Sequence, residues 1–155
     1  MDQETQYLTK EKYKELQDEL NHLITIRRKE VAEHLEYAKK LGDLSENAEY
    51  HEAREEQAGL EDRIKHIEHI LKTAQILNDR HTDVASIGST IKIQKSGESE
   101  TRSFMIVGSE EVDTATGKIS NLSPIGTSII GKKKGESFSV KTPKGDIVYT
   151  LVNLE

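Results

Sequence analysis

The chain has no cysteine and no tryptophan. Without cysteine there is no disulfide to staple a small core, no thiolate zinc site and no sulfur nucleophile, and a reducing compartment fits. Long apolar runs are missing as well. Residues 1–10 lack the hydrophobic centre of a signal peptide, and no later run approaches the ~20 apolar residues that span a bilayer. A soluble, cytoplasmic protein without membrane association is expected. Basic charge is scarce where unaided nucleic-acid binding would need it. Residues 1–80 hold 13 Lys and Arg against 19 Asp and Glu, residues 81–155 hold 9 of each, and the net charge is −6. Binding through a generic basic field is therefore disfavoured. There is no Gly-rich phosphate loop, no Gly-x-Ser-x-Gly elbow and no Rossmann fingerprint. His51-Glu52 does not grow into His-Glu-x-x-His, because Arg54 and Glu55 follow. His66 and His69 are an isolated pair, so no zinc site is expected.

What is present is a large charged fraction. With 32% charged and 34% hydrophobic residues in 155, the chain is lean for one globule, and a long surface-rich element resolves the mismatch. The first half supplies it. Thr9 is placed to cap a helix starting near Lys10, with Leu8 and Tyr13 as its hydrophobic staple. Tyr13, Leu16, Leu20, Leu23, Ile24, Val31, Leu35 and Ala38 then follow three- and four-residue steps, with a slip near Arg27. A second helix carries Tyr50, Ala53, Gln57, Leu60, Ile64, Ile67, Leu71 and Ala74 in coiled-coil spacing. Few residues separate the two patterns, which predicts an antiparallel hairpin on the order of 45 Å long.

The second half is β-rich. Residues 90–94, 103–107, 118–122, 137–141 and 147–152 have strand character, separated by turn signals at Ser96-Gly97, Thr116-Gly117 and 143–146. Ser123-Pro124 opens a short helix that Gly131 stops. The expected class is α+β. Residues 1–77 form the coiled-coil hairpin with an acidic tip near 42–47, residues 78–86 a polar linker, and residues 87–155 a small α+β domain.

The segment between the two helices is Leu41-Gly42-Asp43-Leu44-Ser45-Glu46-Asn47-Ala48-Glu49-Tyr50. Two readings of Asp43 and Glu46 stand side by side. As N-cap and N3 they make a capping box, with Gly42 at the C′ position of the preceding helix. As paired hard oxygen ligands at the end of a rod they suit Mg²⁺, in a site that a partner must complete. Spacing alone does not choose between them.

Residues 42–50, with Ala53-Arg54 and Gln57, resemble the tip signature of the Gre transcript-cleavage factors. Downstream, Val107-Gly108, Glu111-Val112-Asp113, Ile119-Ser120, Ser123-Pro124-Ile125 and Ile130-Gly131-Lys132 are similar to that family's C-terminal domain, in the same order. The resemblance spans nearly the whole chain and implies an FKBP-like second domain. It also implies a function. The coiled coil would enter the secondary channel of bacterial RNA polymerase and stimulate hydrolysis of the backtracked RNA 3′ segment, with no nuclease activity of its own. Asp43 and Glu46 match the tip acids that help hold the polymerase's second Mg²⁺. Ser45, Asn47 and Tyr50 match supporting positions: Asn47 as a possible orienter of a tip carboxylate, Tyr50 as packing, Ser45 as a cap. Arg27, Arg28, Lys39 and Lys40 are RNA-guiding positions by resemblance, or simply solvated charges. Ser123, Pro124 and Ile125 correspond to the stretch that grips the channel rim on the largest polymerase subunit, and Leu122 departs from the polar residue common there. The acidic second helix resembles the GreA type, for which a short displaced RNA is the implied substrate, and a monomer is expected. A paralogue that plugs the channel without promoting hydrolysis, and a coiled-coil adaptor, are the competing readings.

Overall fold

The computed structural model describes residues 5–77 and 83–155. They form two compact units. One is Tyr13–Thr73, and the other joins the N-terminal segment up to Lys12 to Ala74–Glu155.

The first unit is a helical hairpin built from α1 (Lys10–His22), α2 (Arg28–Lys40) and α3 (Ala48–Thr73). Leu23–Arg27 form a π-helical turn between α1 and α2, and the flanking His22 and Arg28 stay right-handed helical, so the arm is continuous. This is where the apolar spacing slips. A wider turn absorbs the extra residue and restores a common seam for Leu16 before it and Val31, Leu35 and Ala38 after it. The turn also rolls residues off the seam. Ile24, expected to face α3, is 38% exposed, and Leu23 is only half-buried.

On α3 the buried residues are Ala53, Ile64, Ile67 and Ile70. Ile70, fully buried, lies outside the expected seam, whereas Leu71 within it is half-buried. Three-residue steps from Ile64 to Ile70 carry the buried stripe across the helix surface, beyond the arc of a simple two-helix seam. Toward the turn the core thins to Leu35, Ala38 and Ala53 with half-buried Tyr50 against them. Forked ion pairs flank this seam: Arg63 holds Glu19 at 2.8 and 2.9 Å, and Arg28 holds Glu61 through two contacts of 2.7 Å.

The expected hairpin of residues 1–77 is longer than this unit. Tyr7–Leu8 (β1) and Gln75–Ile76 (β2) pair in parallel, and Gln75 and Leu77 donate backbone N–H groups to Gln6 and Leu8 at 2.8 Å. A ladder satisfies these amides where the helices end, and places both segments with the second unit. Thr9 caps α1 as expected, its Oγ1 accepting from Lys12 N at 3.1 Å. Its hydroxyl also donates to the buried carboxylate of Glu111 at 2.9 Å, on which Lys118 converges at 3.2 Å. Gly108 lies against β1, and a Cβ there would sit 2.0 Å from Tyr7 O. Only glycine allows that approach.

The second unit is organised by a five-stranded sheet of order β5-β4-β3-β7-β6. Its strands are β3 (Thr90–Lys95), β4 (Thr101–Val107), β5 (Lys118–Ser120), β6 (Ser137–Thr142) and β7 (Gly145–Leu154). Each overlaps an expected strand. All neighbours are antiparallel except β4 and β5. Alternation buries Ile91 and Ile93 of β3 and Phe138 and Val140 of β6, which join Ile106, Leu151, Ala85 and Ile129 of α4 (Pro124–Ile129) in one core. Of the expected linker, residues 78–82 lie outside the described residues. Its end is already part of the fold, because Val84 bridges to Lys133 and Ala85 is buried in the core. Among the described residues no helix is long and apolar enough to cross a membrane.

Candidate functional site

The hairpin turn is the place where chemistry-bearing side chains are gathered without being used up by the fold. α2 ends at Lys40, Leu41 is the C-cap, and Gly42 takes φ +120° to turn the chain. That conformation is strained for any residue with a side chain, so Gly42 holds the C′ position expected of it.

Helix α3 then begins later than a capping box on Asp43 and Glu46 requires. Its first residue is Ala48, and the cap is Asn47, whose Oδ1 accepts from Tyr50 N at 3.0 Å. The capping-box reading is therefore wrong by one turn. Asn47 also donates through Nδ2 to Ala38 O at 2.7 Å. One amide thus satisfies an orphan donor of α3 and adds a second, shorter bond to an α2 carbonyl that Leu41 N already reaches at 3.2 Å, which ties the two arms together at the turn. This replaces the expectation that Asn47 orients a tip carboxylate.

Asp43 and Glu46 both lie in the exposed connection before Ala48. Asp43 Oδ1 accepts from Ser45 N at 3.2 Å and from Ser45 Oγ at 3.0 Å, an Asx turn that fixes one oxygen. Ser45 serves the loop and not the helix. Glu46 has no hydrogen bond or ion pair with any described residue. Two exposed carboxylates, one held by a turn and one projecting freely, fit Mg²⁺ as part of a ligand set that another molecule completes. Tyr50 packs against Leu35, Ala38 and Ala53, as expected, and its ring meets that of His51 edge-on at 5.9 Å.

Behind the tip the charges are paired across the hairpin. His34 sits between two carboxylates, Nε2 to Glu49 and Nδ1 to Glu56, both at 3.0 Å. The Glu49 contact first, then Glu56, raises the His34 pKa above the ordinary histidine value. Glu56 is held below the usual carboxylate range, chiefly by His34 and further by Arg27. In the sequence both glutamates count only toward the acidic character of the second helix. Their i, i+7 spacing on α3 opposite a histidine on α2 becomes meaningful only once the register of the two helices is known.

The basic residues of the first arm divide into two sets. Arg27 binds Glu30 and Glu56, and Arg28 binds Glu61. Their guanidiniums face helix partners rather than forming an open basic patch. Lys39 contacts Glu36 at 3.4 Å. Lys40 lies with Lys29 and the 57% exposed Tyr37 on the outward face of α2.

In the second unit Ser123 Oγ accepts from Gly126 N at 3.0 Å and donates to Ser120 O at 2.7 Å, which starts α4 with Pro124 in its first turn. Pro124 is exposed, Ile125 is half-turned into the core, and Leu122 is 51% exposed. These residues lie on a different compact unit from Asp43 and Glu46.

Comparison with known proteins matches both units. A model for the N-terminal domain of transcription elongation factors covers residues 6–76, and one for the C-terminal domain of transcription elongation factors GreA/GreB covers residues 80–155. Transcription elongation factor GreA of Bacillus licheniformis is 42% identical over 143 residues, 91% of this chain and 90% of that one. The GreA of Caldanaerobacter subterraneus subsp. tengcongensis is 44% identical over 149 residues, 95% of each chain. Among solved structures, GreA factor homolog 1 of Thermus thermophilus is 28% identical, with a TM-score of 0.45 over 97% of this chain and 99% of that one. Two family models laid end to end, and relatives of this identity along almost the full length, mean that the protein belongs to the GreA/GreB family of transcription elongation factors, and within it to the GreA type.

Proposed function

We propose that this protein inserts the tip of its hairpin through the secondary channel of bacterial RNA polymerase and there stimulates cleavage of backtracked RNA. The polymerase is the enzyme. This chain supplies Asp43 and Glu46 to an active centre whose other ligands belong to the polymerase, and it hydrolyses nothing alone. Ser123, Pro124 and Ile125 are the proposed contacts with the channel rim on the largest subunit.

One observation carries the reading: Asn47, and not Asp43 or Glu46, starts α3. A chain that needed these carboxylates only to cap a helix would have used them there. Instead, Asp43 is oriented by Ser45 and Glu46 is left exposed at the far end of a hairpin. α3 alone, with 26 residues, is about 39 Å long, a reach that suits a deep channel. Asp43 and Glu46 would hold Mg²⁺, which when bound would supply an activated water for hydrolysis of the RNA phosphodiester. The scissile RNA segment is then the displaced 3′ end, and the new 3′ end is left ready for extension. Lys40, at the tip end of the first arm, is the better candidate for guiding that RNA, since Arg27, Arg28 and Lys39 already face glutamates.

The test is addition of the purified protein to halted, backtracked transcription complexes with Mg²⁺. Wild type should release short 3′ fragments, and Asp43→Asn or Glu46→Gln should lose at least about a hundredfold in rate, the scale of removing a group that acts in the transition state. Binding to polymerase should persist in both variants. Fragments undiminished in both would refute the proposal. Blocked transcription without fragments would point to a channel plug, and failure to bind polymerase to an adaptor.

A further inference from the structure

The tip presents two carboxylates, yet its connection from Gly42 to Asn47 contains no regular element to hold them. Its order must come from side chains. Ser45 is the hub. Its amide and hydroxyl are spent on Asp43 Oδ1. Its carbonyl is engaged from the other side, by Nε2 of His51 at 3.3 Å. A carbonyl only accepts, so Nε2 carries the proton and donates.

That bond acts on the peptide joining Ser45 to Glu46, the unit whose orientation sets the direction in which Glu46 leaves the backbone. Both carboxylates are therefore referred to one residue: Asp43 through the Ser45 amide side, Glu46 through the Ser45 carbonyl side. His51 is in turn fixed by what lies behind it. Its ring meets the Tyr50 ring edge-on, Tyr50 packs into the small core of Leu35, Ala38 and Ala53, and the Tyr50 amide is held by Asn47. Order passes from a packed core, through Tyr50 and His51, to an exposed loop.

We infer that His51 is a positioning residue for the cleavage reaction, which holds the Ser45–Glu46 peptide so that Glu46 is presented together with Asp43. The inference rests on the proposed role of the tip acids. It assigns His51 no contact with metal or RNA. Its donor is Nε2–H in both the neutral and the protonated ring, so its effect does not depend on its charge.

The test uses the full chain with backtracked complexes, comparing wild type, His51→Ala, His51→Gln, Asp43→Asn and Glu46→Gln. Loss of one hydrogen bond should lower the maximal cleavage rate of His51→Ala about fivefold. The concentration giving half-maximal cleavage should be unchanged, because polymerase binding is not at issue. His51→Gln, whose amide nitrogen reaches the place of Nε2, should recover to within about twofold. The ratio of His51→Ala to wild type should be flat from pH 6 to 8. A His51→Ala rate equal to wild type, a His51→Gln rate as low as that of alanine, or a titration step in the ratio would each overturn the inference; the last would make the imidazole an acid or base. Asp43→Asn separates the two proposals. Its inactivity beside an unaffected His51→Ala removes the role of His51 alone, while full activity of both Asp43→Asn and Glu46→Gln removes the role of the tip itself. Nitrogen NMR of the isolated protein gives a reading free of polymerase: the Nε2–H tautomer is expected, and a dominant Nδ1–H tautomer would also overturn the inference.

Discussion

The hairpin and the sheet unit solve the problem of staying folded in opposite ways. In the sheet unit, eight buried residues from strands, α4 and the segment before β3 share one core, Ile91, Ile93 and Ile106 among them. Each large apolar side chain of this kind is worth roughly 1.5–3 kcal/mol when fully buried. Near its tip the hairpin has only Leu35, Ala38 and Ala53 with Tyr50, and it makes up the difference with polar ties across the arms, from Arg63–Glu19 to His34 and Asn47. Such exposed pairs contribute little individually. A slender element exposes more surface per residue than a globule, so the hairpin exchanges core for reach. The lesson is that the proposed functional end lies where packing is thinnest, and there single hydrogen bonds decide geometry.

That contrast can be broken experimentally, most strongly in the sheet. Ile106→Ala removes a fully buried side chain from the shared core and should cost about 2–5 kcal/mol, read as lost amide protection across β3, β4 and β7. A cost below that of a surface change would mean that this core is not the stronger of the two. A smaller effect is expected at the turn. Asn47→Ala removes a cap and an interhelical tie and should cost about 1–2 kcal/mol, confined to exchange in the last turn of α2 and the first of α3. Protection lost throughout both units would show that the hairpin end is not a local element.

The smallest effect is set by pH. The folded pKa of His34 is raised, first by its bond to Glu49 and then by Glu56. Its stabilising contribution is thus complete below the unfolded histidine value of about 6.5 and is lost as pH rises through the higher folded value. Amide exchange around His34, corrected for intrinsic rates, should therefore accelerate between pH 6 and 8 in wild type and show a weaker slope in His34→Gln. Equal slopes in the two proteins would assign the pH response to other groups.

Much of this architecture is legible in the residue order, for identifiable reasons. Five strands and α4 announce themselves through alternation, turn residues and Ser123-Pro124, all of which act over a few neighbours. The start of α1 is equally local, since Thr9 needs only the amide of Lys12. The tip was harder. Asp43 and Asn47 are both good helix caps, and residue type alone does not tell which of them α3 begins on. The arrival of the α2 carbonyl of Ala38 beside Asn47 tips the choice, and that carbonyl is nine residues away. Glu111 is a sharper case. Nothing near it in the chain hints that its carboxylate meets Thr9 102 residues earlier.

By itself, the sequence determined the class of each half, the place of the turn and the identity of the two acids at its end. It did so because helical period, strand alternation and a positive-φ glycine are properties of short windows. Only the tertiary structure decided what those acids are free to do. Whether a carboxylate caps, pairs or stands exposed depends on which groups from distant residues reach it first. That is fixed by the register of α2 against α3, where the π turn sets the phase of the first arm and Asn47 closes the end.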